Sequence, residues 1–386
     1  MAHYGTTNVA KFLRERGLKS VCRWIKQEQC NVTVGTLKLF CKTFDVDPNE
    51  LEQKCIVLSP RFYPVDMSSQ SFIKLKTHVL NEGRVSLHIK IVGILSYINQ
   101  DPVLLKYFAD TVREAGGAIK EELTFEGNGL VAHANPVLAR ALDASGLQYG
   151  RKTRTNPSLD PLLGQNPNFF RYHIQATLTE EGWCTLTINK SRRACFDIAW
   201  GRSVDITNKL SEEQRENIRQ LVKERRRRKI PVRIIGGPEA WNIIQQNPPR
   251  SFIQEIGLLT VAHKDIRWPG GYPTRIHLSK KDRITAFWEI HFTRPDLIDL
   301  IHDEYSMLPS TWKVRRFENL YEAYTKYRGR RLTDEDIQAI GKVKDDNPPE
   351  ISVEWVSEKV RELFPDAQQA RDIEKIKKIL GRSEKE

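Results

Sequence analysis

The sequence predicts an α+β protein whose central region is built twice from one unit, helix–strand–strand–helix–strand–strand–helix, with short helices before it and a helical extension after it. Three observations predict this. Two helical segments, each closed by an acid and a glycine, stand 99 residues apart at Glu82-Gly83 and Glu181-Gly182. Strand-like alternation of apolar and polar residues follows each of them. The order of elements then recurs, and internal repetition decides a fold more strongly than any single propensity.

Residues 1–55 read as a run of short helices. Val9, Phe12 and Leu13 repeat at helical spacing and Gly17 closes that helix. Ser20 stands where a cap would, before Val21 to Lys26. Leu37, Phe40, Cys41 and Phe44 share one face of a third helix, and Asp47-Pro48 opens a last one through Leu51. Helices this short, joined by tight turns, suit a helix-turn-helix bundle. The stretch 56–70, with two prolines and three serines, reads as a linker.

The first central unit, 71–165, starts with the helix ending at Glu82. Arg84 to Ile91 then alternates: Val85, Leu87, Ile89 and Ile91 on one face, Arg84, Ser86, His88 and Lys90 on the other. That is a half-buried strand with a basic open face. Pro102 to Ala115 is an amphipathic helix closed by Gly116-Gly117. Strands Ile119 to Phe125 and Leu130 to Ala134 flank the turn Glu126-Gly127-Asn128-Gly129. A helix runs from Pro136 to Gly146. The second unit, 166–315, gives a helix over Phe169 to Glu181, strands Trp183 to Ile188 and Ala194 to Trp200, and a helix capped by Ser211 that runs to about Lys229. An irregular insertion over 230–273 follows. Strands Arg275 to Ser279 and Arg283 to Phe292 come next, then a helix from Pro295. Residues 316–386 are charged and helical, an accessory C-terminal module.

Lys plus Arg is 61 and Asp plus Glu is 49, a net charge of +12 with a pI near 9.3. That balance favours a polyanionic partner. No apolar run reaches the about 18 residues a membrane helix needs, and the N-terminus lacks a signal-peptide core. Of six cysteines, at 22, 30, 41, 55, 184 and 195, none forms a CxxC pair. They read as core thiols of a reducing compartment rather than metal ligands. A cytoplasmic, nucleoid-associated monomer with no membrane partner is the expectation.

Leu75-Lys76-Thr77-His78-Val79-Leu80-Asn81-Glu82-Gly83 and Ile174-Gln175-Ala176-Thr177-Leu178-Thr179-Glu180-Glu181-Gly182 both resemble the LAGLIDADG motif of homing endonucleases. Gly150-Arg151-Lys152-Thr153 resembles the basic turn that leads into that family's second motif. The resemblance covers about 71–310, and residues 20–52 separately look like a Cro/repressor-type helix-turn-helix. A chain of this build is similar to archaeal homing-endonuclease-like proteins.

The resemblance implies tandem αββαββα repeats with pseudo-two-fold symmetry and DNA cleavage using Mg²⁺ or Mn²⁺. Small residues at Thr77 and Ala176 would let the two motif helices approach closely. Gly83 and Gly182 would end those helices as C′ residues. Glu82 and Glu181 would then converge as catalytic metal ligands, with Gly83 and Gly182 beside them. Two carboxylates near a scissile phosphate can hold hard divalent cations that activate water. The first motif departs from the pattern at Lys76 and His78, and a buried Lys76 must pair or reach solvent.

Double-stranded DNA would then be contacted by Arg84, Ser86, His88, Lys90, Thr185 and Thr187 on the strands, and by Arg151 and Lys152 in the basic turn. Lys281 and Lys120 are candidates beside the scissile phosphate. Arg226 and Arg227 end the long helix, and Arg315 and Arg316 close the run Trp312-Lys313-Val314-Arg315-Arg316, which mixes aromatics with bases. In the N-terminal module, Arg23, Lys26 and Gln27 would face the major groove. Two other readings stand beside the nuclease. The degenerate first motif favours a DNA-binding regulator that does not cleave. A maturase-like protein that binds structured RNA is the third.

Overall fold

The structure, a computed structural model, describes residues 65–88, 92–115, 124–126, 129–134, 136–227, 238–278, 283–348 and 350–365, together with 15, 39, 41–45 and 380. The expected helix-turn-helix, with Arg23, Lys26 and Gln27, lies outside the described residues, as do Lys90, Lys120 and Lys281 and most of the expected linker. The end of that linker is ordered. Asp66 Oδ1 accepts from the Ser68 amide at 2.9 Å, and the Ser69 hydroxyl accepts from Phe72 N at 3.2 Å. Ser69 thereby caps helix α1, Gln70–Asn81.

The chain is α+β. Strands β1 (Gly83–His88) and β2 (Val92–Asn99) lead to helix α2 (Pro102–Glu114), then β3 (Thr124–Glu126), β4 (Gly129–Ala134) and α3 (Pro136–Ala144). A short helix α4 (Lys152–Thr155) precedes α5 (Pro167–Glu181), which feeds β5 (Gly182–Ile188) and β6 (Ala194–Asp205). Helices α6 (Glu212–Arg227), α7 (Pro238–Gln245) and α8 (Arg250–Ala262) lead to β7 (Tyr272–Leu278), β8 (Ile284–Phe292) and α9 (Pro295–Tyr305). Among the described residues the strands form two antiparallel four-stranded sheets with one order, β1-β2-β4-β3 and β5-β6-β8-β7. The recurrence expected from sequence is present in strand order.

Four expectations need correction. The strand expected over 84–91 is described as β1 up to His88, and it has a partner the sequence reading did not locate, β2, which runs back along it with Gly83 opposite Tyr97. Strand β2 carries no alternation, because Leu95, Ser96 and Tyr97 in succession are buried. A strand covered on both faces does not alternate. The insertion is not irregular where it is described, because it holds α7 and α8.

Where they are described, residues 316–365 are also not an accessory module. Helices α10 (Trp312–Tyr327) and α11 (Asp334–Asp346) seal the second core with Phe317, Leu320, Tyr324 and Ile340. Helix α12 (Val353–Leu363) turns back onto the first core, where Val353, Val356 and Val360 join Leu104 and Phe108.

The glycines after the motif helices act differently than expected. Neither takes a left-handed conformation; Glu82 is still helical, and Gly182 is extended at φ −87°. Each is small because the chain folds back against its own helix. A Cβ on Gly83 would stand 2.5 Å from Val79 Cα, and one on Gly182 2.3 Å from the Leu178 carbonyl oxygen.

Candidate functional site

The two motif helices, α1 and α5, pack side by side and run parallel. Thr77 Oγ1 shares a hydrogen bond with His173 Nδ1 at 3.1 Å, and Thr177 Oγ1 meets Asn81 Oδ1 at 3.4 Å. Both pairs are 96 residues apart in sequence, so one helix advances with the other. Parallel packing brings both C-terminal ends, and with them Glu82 and Glu181, to one end of the pair. Thr77 and Ala176 are buried at the contact as anticipated. The two helices approach closely there, and the seam is also polar.

Two buried carboxylates organise that seam. Glu180 accepts from Asn81 and from the Tyr97 hydroxyl, and its Oε1 lies 2.6 Å from His78 Nδ1. His78 Nε2 is 2.7 Å from the Tyr172 hydroxyl. Glu255, from helix α8, accepts from Arg202 Nη2 at 2.7 Å and Trp200 Nε1 at 3.1 Å, with His173 Nε2 at 3.0 Å. Burial alone would push the Glu255 carboxyl up, but the Arg202 guanidinium and the His173 bond outweigh it and hold it down at about 2. Lys76, a departure from the motif, is buried and satisfied by Asp160 and by the Ser145 carbonyl at 2.8 Å. The carboxylates, histidines and Lys76 of the seam each meet a partner from the other helix or from an element packed on it, as burial requires.

The acid pair stands at the lower end. Burial, and next to it the charge of Glu181, push the Glu82 carboxyl up to about 7, against the opposing pull of Lys152. Glu181 Oε1 lies 3.6 Å from Arg202 Nη1. Two lysines enter this space from opposite sides. Lys152, at the start of α4, donates to the Asn81 carbonyl, the last residue of helix α1. Lys313, in the first turn of α10, donates to the Glu180 carbonyl at 3.0 Å and the Gly182 carbonyl at 2.9 Å. Burial lowers the affinity of both amines for a proton, and Glu82 and Glu181 counter it. Above Lys313 opens a cavity of about 580 Å³ whose wall includes Glu82, Asp101, Trp183, Trp312 and Arg316.

These residues do not fit a divalent ion. A Mg²⁺ placed about 4 Å from an ammonium group is repelled by about 8 kcal/mol at an effective dielectric of about 20. Two such groups sit on the carbonyls beside the acids and interact with them electrostatically, and Arg202 lies 3.6 Å from Glu181. The Gly182 carbonyl, expected beside a metal, accepts from Lys313. Among the described residues no group of three or more His, Cys, Asp and Glu side chains is disposed to hold a metal.

The expected DNA contacts divide. Arg84, Thr185 and Thr187 are exposed on the open faces of β1 and β5, and Ser86, on β1, is half-buried. Arg151 is exposed, whereas Lys152 turns inward onto helix α1. Arg227 and Arg315 are exposed, but Arg316 lines the cavity and Lys313 lies inside. His88 pairs with Val92 in the hairpin, and Arg226 lies in helix α6; the side chains of both fall outside the described residues. The open face of the second sheet is mixed, not basic. His291 Nδ1 meets Asp197 Oδ2 at 2.8 Å, its Nε2 lies 3.6 Å from Glu289, and Tyr272 stacks on its ring.

Sequence reading took Glu181 and passed over its neighbour Glu180, which is the buried member of the doublet. It assigned Lys313 to DNA through the basic run. Glu255 lay in the stretch taken as irregular. The doublet itself was the available signal: adjacent helical positions point about 100° apart, so both acids cannot share one environment.

No family model matches the chain, and no curated protein matches it. Among solved structures it is similar to full-length DUF199/WhiA from Thermatoga maritima, at 9% identity and a TM-score of 0.32, over 81% of this chain and 92% of that one. A likeness that remote carries no argument about this chain. Among the described residues no helix is long and apolar enough to cross a membrane.

Proposed function

We propose that this chain binds double-stranded DNA across the open faces of its two sheets, as a LAGLIDADG-like core of tandem repeats, and holds the duplex without cutting it. One observation carries the reading: two sheets of identical strand order spring from the common end of a parallel helix pair. That arrangement offers two equivalent strand surfaces to a partner that is itself two-fold, as a duplex is. Arg84, Thr185 and Thr187 supply phosphate and base-edge donors on those surfaces, and Arg151 supplies one from the turn before α4. The net charge of +12 supplies the salt-dependent part of the affinity.

Binding without cleavage follows from the company the acids keep. Glu82 and Glu181 face protein cations, and no reaction step is assigned to them. The test is a competition among duplex DNA, single-stranded DNA and structured RNA for the full chain, with Mg²⁺ or Mn²⁺ present. The expected result is preferential retention of duplex with no strand break. Preference for RNA supports the maturase reading instead. Cleavage that Glu181→Gln abolishes restores the nuclease.

A further inference from the structure

The disagreement between the acid pair and a divalent ion points to something specific. We infer that Lys152 and Lys313 are built-in counter-ions, each taking in its own repeat the place a divalent cation would occupy at the helix end. The contacts are matched. Asn81 and Glu180 are the residues immediately before the motif acids, and each gives its carbonyl oxygen to one lysine. Lys313 takes the Gly182 carbonyl as well. A helix C-terminus carries partial negative charge on its free carbonyls, and here each one has an acid beside it. The sum is a carbonyl-and-carboxylate oxygen site, which in other proteins suits a hard cation.

The two lysines come from unrelated places, one from the turn before α5 and one from the start of α10. Two independent segments delivering one ammonium each to equivalent carbonyls is a constructed arrangement, not a chance contact. A third cation, Arg202, reaches Glu181 from β6. Charge at the site is thus closed by the protein itself.

The acid pair consequently needs no metal, and deleting the ammonium groups creates a metal site where none exists. This stands independently of DNA binding, and its test contains no DNA. Tb³⁺, a probe of hard-oxygen sites, is titrated into the full chain at neutral pH. Its luminescence is sensitised by Trp183, which shares the cavity wall with Glu82. The wild-type chain gives no saturable signal. The double variant Lys152→Gln, Lys313→Gln binds Tb³⁺ at least about tenfold more tightly. Mg²⁺ competes with that binding, and adding Glu82→Gln and Glu181→Gln removes it.

Saturable wild-type binding that matches the double variant overturns the inference, and so does a folded double variant that gains no affinity. A double variant that folds only when Mg²⁺ is supplied supports it, because the ion then replaces the lost charge. One that stays unfolded at saturating Mg²⁺ overturns it, because the lysines would then do more than balance charge.

Discussion

Replacing Glu255 by Gln is the sharpest perturbation of the seam between the repeats. Glu255 is fully buried and holds Arg202, itself 8% exposed, through a 2.7 Å hydrogen bond. The amide keeps the shape and a hydrogen-bond acceptor for Trp200, but it leaves Arg202 with the neutral Thr177 hydroxyl at 3.2 Å and Glu181 at 3.6 Å as its nearest carboxylate. Two routes give the magnitude. The carboxyl sits at about 2 against an ordinary 4.5, and that gap corresponds to about 3 kcal/mol of favourable interaction with the charged form. Breaking one partner of a buried ion pair costs about 3–5 kcal/mol in general. The two agree, so Glu255→Gln should lower stability by about 3–5 kcal/mol in urea unfolding. The cycle with Arg202→Met completes the assay. The double variant should be less destabilised than the sum of the singles, since the orphaned charge is gone. A Glu255→Gln chain within about 0.5 kcal/mol of wild type would refute the reasoning, because losses that small belong to surface sites.

Further outcomes follow from the same geometry. Glu82 is raised to about 7 from 4.5, so the folded chain binds the extra proton between those values. Stability should therefore decline as pH rises from about 4.5 to 7, by up to about 3 kcal/mol, and Glu82→Gln should flatten that stretch of the urea-midpoint profile. Glu255 acts oppositely: its contribution is present above about 4.5 and lost as pH falls toward 2, a loss absent from Glu255→Gln. Gly182→Ala should cost several kcal/mol through its clash with the Leu178 carbonyl. Gly257→Ala, in open space on helix α8, should raise the melting temperature by an amount equivalent to about 0.5–1 kcal/mol. Truncation before residue 350 should expose Leu104 and Phe108 and lower the melting temperature, whereas an accessory tail would leave it unchanged.

The elements most legible in the sequence were those exposed on one face. Strand β5 alternates, with Cys184 and Leu186 inside and Thr185 and Thr187 outside, and its period was readable directly. The recurrence of strands was readable because the motif helices repeat their final acid and glycine. Strand β2 was not, since its successive residues are covered on both faces. The repeated acid and glycine mark the ends of two helices that pack in parallel, but the surroundings of those ends are not legible in the sequence. Lys152 and Lys313 come from segments whose local pattern reads as an exposed basic turn and an exposed basic run. Only the long-range fold turns them inward, and no local period records that. Glu255 was invisible for the same reason, because its value lies in Arg202 and His173, 53 and 82 residues away.

Hydroxyl-radical footprinting of the full chain on a duplex it retains, with Mg²⁺ present, tests the central claim most directly. Two equivalent sheet surfaces predict two protected backbone segments related by two-fold symmetry on one side of an intact duplex, both weakened by Arg84→Ala together with Thr185→Ala. A single protected segment unaffected by those changes, or strands broken between the segments, would contradict it.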